Sequence, residues 1–132
     1  MWRSGVIRRR RQSALATLVE HAVRTGDFAQ PWDAVPDVWE HYADVADILR
    51  DLQQKWRTAL AGEVYLAIEN GQGDLPHDVL TALRKVRRRH HGVRQVLEAH
   101  AGHPAIAAAM RKERSLLSCF ADASDHDAPR AA

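Results

Sequence analysis

The chain has 132 residues, 45% of them hydrophobic, a formal net charge of +2 and a single cysteine, Cys119. That length holds one domain around one core, and the apolar content excludes a chain disordered throughout. The near-balanced charge demands no anionic partner, the lone thiol excludes an intrachain disulfide and fits a reducing cytoplasm, and no segment approaches the ~20 apolar residues of a membrane span.

The N-terminal "MWRSGVIRRRRQSALATLVEHAVR" opens like the basic region of a signal peptide, but its apolar run "SALATLV" stops at Glu20 and His21. A first helix is expected from Gly5 to Arg24, with Leu15, Leu18, Val19, Ala22 and Val23 on one stripe. Gly26 and Pro31 in "TGDFAQP" punctuate its end.

The second helix is the strongest expectation. Asp33 is placed to cap it, with Pro36 in the first turn, where a missing N–H costs little. Val35, Val38, Tyr42, Val45, Leu49, Leu52 and Trp56 recur at spacings of 3 and 4, a seam that continues through Ala59, Glu63 and Leu66 to "NGQG". Asp33, Asp37, Glu40, Asp44, Asp47 and Asp51 repeat with the same spacing and predict an acidic stripe on the outer face of that helix.

A third helix follows, capped by Asp74, with Val79, Leu83, Val86, His90, Val93, Leu97 and His100 as its seam. Its "RKVRRRHHGVR" places Arg84, Arg87, Arg88 and His91 outward and Lys85, Arg89 and Arg94 nearer the flanks. Like charges four residues apart, such as Arg84 and Arg88, each cost a few tenths of a kcal/mol, roughly the size of a favourable helix-surface pair. "AGHP" ends this helix, and a fourth carries Ile106, Met110, Glu113, Leu117 and Phe120 in register.

These elements make an all-α chain, an antiparallel bundle of about four helices over one domain, residues 1–132, with 1–4 and 122–132 as frayed tails. The alternative is a hairpin of the second and third helices that completes its core by dimerising. The expected core is Leu18, Val38, Tyr42, Val45, Leu49, Leu52, Trp56, Leu83, Val86, Val93, Leu97, Met110, Leu117 and Phe120.

No sequence motif carries catalysis. "NGQGD" lacks the lysine and strand context of a phosphate loop, and Cys119 lies late in a helix, away from the positive end of its dipole. Glu63, His90, His100 and Glu113 occupy seam positions, but Glu-x-x-His, the paired motif of bundle metal sites, is absent. A buried Glu113–His90 pair is expected instead, with no metal and no cofactor. "YLAIE", Tyr65 to Glu69, fits the Tyr-x-x-x-Asp/Glu pattern of helical export substrates, but no glycine follows Trp32 two residues on to make their Trp-x-Gly turn.

The charge layout points to a non-catalytic module that self-associates or binds another protein. Arg84, Arg87, Arg88, His91 and Arg94 form the positive side, and Asp44, Asp47 and Asp51 the negative. The alternative is nucleic-acid binding through Arg84, Arg88 and Arg94 with Arg8, Arg9, Arg10 and Arg11, provided these clusters converge on one face. "VLEAHAGHPAIAAAMRKE" has the outline of a helix-turn-helix. However, Glu98 stands four residues before Gly102, where crossing helices want a small side chain, and "PAIAAAM" offers little to base edges.

Overall fold

The computed structural model describes residues 2–127 along the backbone and 3–123 in their side chains. Five α-helices follow one another: α1 (Trp2–Thr25), α2 (Val45–Asn70), α3 (Leu75–Arg89), α4 (His91–Ala99) and α5 (Ala107–Asp127). Two 3-10 turns, Pro31–Ala34 and Pro36–Glu40, bridge α1 and α2, and there is no strand among the described residues. Residues 2–4 lie within α1 and 122–127 within α5. The remaining residues expected as tails lie outside those described.

The long second helix expected from Asp33 does not form. Pro36 disfavours helical backbone at the residue before it, and Val35 sits at φ −128°, ψ 69°. The helix starts instead at Val45, where Asp44 and Asp47 serve the first turn reciprocally. Asp44 accepts from the Asp47 amide at 2.8 Å, and the Asp47 carboxylate accepts from the Ala43 amide at 3.0 Å. Val38 and Tyr42 are buried as their spacing suggested, at 0% and 3% exposure, but Val38 reaches the core from a 3-10 turn and Tyr42 from the link after it.

The third expected helix is two helices. Asp74 caps α3 through the His77 amide, and the chain then breaks at His90, φ −117°, ψ 40°. The break turns α4 onto α1, and Gly92 permits the contact. A Cβ there would lie 2.6 Å from Val23 Cγ2 and 2.7 Å from Val19 Cγ1.

Around one core, α3 packs between α2 and α5, while α1 packs on α4 and both 3-10 turns. Leu15, Leu18 and Ala22 from α1 meet Ile48, Leu49, Leu52 and Trp56 from α2, with Val86, Val93, Val96 and Leu97 from α3 and α4. Ile106 and Met110 close one end, and Val45 and Leu117 are only partly covered. Phe120, expected in the core, is half-buried and stands outside it. His100, the last seam histidine, bridges the carbonyls of Val96 and Ala29 at 2.8 and 2.7 Å and lies 5.1 Å from the Trp32 ring, tying the loop after α1 to the end of α4.

Candidate functional site

The acidic residues do not make an outward stripe. Asp33, Asp37 and Glu40 lie in the 3-10 turns, off the helix that would have aligned them with Asp47 and Asp51. Asp44 is a cap. Asp47 pairs with Arg11 at 3.2 Å. The Ala43 amide and then the Arg11 charge hold its carboxyl below the usual range, against the opposing effect of burial. Asp51 accepts the Tyr42 hydroxyl at 2.6 Å, while the Arg11 guanidinium lies 4.5 Å from the Tyr42 ring centre. Burial, then the Asp51 hydrogen bond, push the Tyr42 phenol well above its ordinary value. Asp47 and Asp51 thus face α1, and Arg11 is engaged with Asp47.

Arg94 is also inside rather than on a binding face. Its side chain is 11% exposed and its Nη1 donates to Glu113 at 2.7 Å, while Nε donates to Glu98 at 2.9 Å. The guanidinium lies 4.8 Å from the Trp56 ring centre, and Trp56 Nε1 donates to the other Glu113 oxygen at 2.7 Å. Glu113 therefore pairs with Arg94 and Trp56, and the expected Glu113–His90 pair does not form. Glu63 instead takes Lys85 at 3.2 Å and Arg89 at 2.8 Å.

The cations left without a carboxylate in ion-pair range, among the described residues, include Arg84, Arg87 and Arg88 on the outer face of α3 and Lys55 on α2. His91 is exposed, with its ring centre 6.5 Å from that of Phe28 and the two rings nearly perpendicular. The N-terminal arginines diverge. Arg8 faces the groove between α1 and α2, Arg10 faces the 3-10 turns with their Asp37 and Glu40, and Arg11 is held by Asp47.

His90, at the α3–α4 break, lines three neighbouring depressions. One, of about 480 Å³, lies between α1 and the break. Ala16, Val19, Val23 and Val93 contribute apolar surface, and Arg24, Lys55, Arg88 and Arg89 contribute positive charge against the single acid Glu20. A second, of about 300 Å³, runs between Leu15 of α1 and Gln54, Lys55 and Thr58 of α2. The third, of about 390 Å³, continues along α2 past Ala59, Gly62 and Leu66. A further depression of about 600 Å³ adjoins the second through Gln12, Asp51 and Gln54 and reaches Ile7 and Arg8. Three of these depressions follow one another along α2, sharing walls at Asp51, Gln54, Thr58, Ala59 and His90, and the first branches from them at Lys55 and His90 toward α1; they are taken together as one groove.

Burial first, then the charges of Lys55 and Arg89, hold the His90 imidazole below its usual value, against the pull of Glu63. The groove is thus a positively biased surface with apolar patches. No cluster of three or more potential metal ligands occurs among the described residues, and no helix there is long and apolar enough to cross a membrane.

Sequence reasoning singled out Arg88 and His91 but missed Lys55 and the apolar residues of α1 beside it. Lys55 stands beside the α2 seam, and nothing in the sequence said which helix it would face. Compared with protein-family models, with curated proteins and with solved structures, the chain matches none.

Proposed function

We propose that this chain is a non-catalytic binding module for an acidic segment of a partner protein. The receiving surface is the outer face of α3 with the adjoining groove, through Arg84, Arg87, Arg88, His91 and Lys55. One observation carries this reading: those cations lack carboxylates, whereas Asp44, Asp47 and Asp51, which would have answered them from a second copy, are engaged within their own chain. Desolvated or clustered cations attract a complementary partner more than they stabilise the fold that bears them.

Completion of the bundle by a second copy is the competing use of the same face; with Asp44, Asp47 and Asp51 engaged, it has the exposed Asp33, Asp37 and Glu40, which lie in the 3-10 turns and not along one helix. Nucleic acid is less well served, because Arg8, Arg10 and Arg11 face different neighbours. Exposed Cys119 fits a reducing compartment, where it stays a thiol.

Fluorescence anisotropy with labelled poly-glutamate and with a mixed-sequence DNA duplex, at low and near-physiological salt, tests the reading. Poly-glutamate is expected to bind more tightly than the duplex at the higher salt, and Arg84→Ala/Arg87→Ala/Arg88→Ala to weaken it at least fivefold. Tighter binding of the duplex, or a triple variant that binds as well as the parent, would overturn the reading. Sedimentation equilibrium in the same buffers is expected to show a monomer; a dimer dispersed by that triple variant would give the face to a second copy.

A further inference from the structure

We infer that the partner element is a single amphipathic α-helix lying along α2 in the groove that passes His90. The inference rests on the acidic-partner reading and adds the form and register of what binds.

The groove's length favours a helix. From Asp51, where the N-terminal stretch of α1 meets α2, to Leu66, the wall follows α2 for about four turns, or ~22 Å at 1.5 Å per residue. A partner helix of ~15 residues spans the same distance. Beyond His90 the depression is lined by α2 and α3 alone among the described residues. The core contacts of α1 begin at Leu15, and the distal part of α2 leaves Leu66 50% exposed. A helix laid there would continue the layer that α1 begins.

The walls favour a helix over an extended strand. The long walls are helical faces whose backbone groups are already paired within α2 and α3, so an extended segment would find few main-chain partners. A helix arrives with its own backbone satisfied and needs only side-chain contacts. Ala59 and Gly62 keep the floor low, and a Cβ added at Gly62 meets nothing within 4 Å. A second helix axis can therefore approach within the ~8–10 Å of ordinary helix packing.

Charge sets the sign of the occupant's edges. Arg8 stands at one end of the groove, Lys55 at its middle, and Arg88 beside the branch toward α1. Of the acids on the same walls, Asp51 is engaged by the Tyr42 hydroxyl and Glu63 by Lys85 and Arg89; Glu20 stands in the branch toward α1, off the stretch along α2, among Arg24, Lys55, Arg88 and Arg89. The occupant's apolar residues, spaced i, i+3 or i+4, and i+7, would lie over Ala59, Gly62 and Leu66, with Asp or Glu along the edge facing Lys55.

Panning a display library of helix-favouring 16-residue peptides against the full chain tests this. The enriched sequences are expected to combine that apolar spacing with flanking Asp and Glu. Their affinity should fall at least tenfold against Gly62→Trp, which fills the floor, and several-fold against Lys55→Glu. Leu66→Glu, at a half-exposed position, is a second block that spares the core. Each variant is first checked for parental helicity by circular dichroism. Acidic sequences without helical spacing, or binding that ignores both Gly62→Trp and Leu66→Glu, would overturn the helix while leaving the acidic partner in place. Enrichment of sequences without acids, or no enrichment, would overturn both.

Discussion

Arg94 is a residue that the helical wheel offers to a partner and the fold keeps for itself, and a double-mutant cycle with Glu113 separates the two roles. The pair is nearly dry, with side chains 11% and 13% exposed. Arg94→Met retains the apolar stem but removes the hydrogen bond to Glu113, the contact with Trp56 and the weaker pair with Glu98, which is 44% exposed. A charged hydrogen bond contributes about 1.5–3 kcal/mol and a partly desolvated cation–π contact about 1 kcal/mol, while the Glu98 pair adds at most about 0.5. The loss is therefore about 3 kcal/mol. Glu113→Gln keeps an acceptor for Trp56 Nε1 and should cost about 2 kcal/mol. The double variant should cost less than the two together, giving a coupling near 2 kcal/mol in urea denaturation. Arg84→Ala, at an exposed position, should stay within about 0.5 kcal/mol of the parent. A coupling below about 0.5 kcal/mol, with Arg94→Met no worse than Arg84→Ala, would refute the buried network.

Three further outcomes are expected. Gly92→Ala should lose about 1–2 kcal/mol despite alanine's better helix propensity, because the added Cβ meets Val19 and Val23; a Val19→Ala background should recover part of the loss, and a more stable Gly92→Ala would show that α4 does not press on α1. His90 has a folded pKa below its unfolded value, so its effect is absent above the unfolded value. Stability falls as pH drops from there toward the folded value, where the unfolded chain takes up the proton first, and levels off below it. The urea midpoint should therefore drop less between pH 7 and 5 in His90→Gln than in the parent, and parallel profiles would contradict this. Gln53 is 7% exposed and its amide oxygen has no partner, so Gln53→Met should gain about 1 kcal/mol and raise Tm by a few degrees; a lower Tm would mean that the oxygen is paired.

The helical class and much of the core were legible, because spacings of 3 and 4 survive changes in backbone type. Leu49, Leu52 and Trp56 are buried on a true helix, yet Val38 and Tyr42 follow the same rhythm outside any α-helix. Periodicity reported burial there and misreported conformation. The true start of α2 had a local signature, the Asp44–Asp47 pair, overshadowed by Asp33 and Pro36. The break at His90 left no trace, since the seam runs through it from Val86 to Val93 without a skipped position.

Charge was legible as a count on each helix and not as a set of pairings. Arg11 and Asp47 are 36 residues apart, and Arg94 and Glu113 are 19 apart. Whether a flank meets water or another helix depends on the crossing of elements, which the wheel of one helix does not contain. The same gap hid the place of Lys55 and the groove, whose walls come together from α1, α2 and the α3–α4 break.

The central claim is that an acidic protein segment is received by α3 and the groove beside α1, and amide chemical-shift mapping tests it most directly. Poly-glutamate added at near-physiological salt should move the resonances of Lys55, of residues 59–66 and 84–92 and of Ala16 to Val23, and leave Asp44, Asp47 and Asp51 in place. Shifts spread evenly over the surface, or centred on Arg8 to Arg10 alone, would contradict the account.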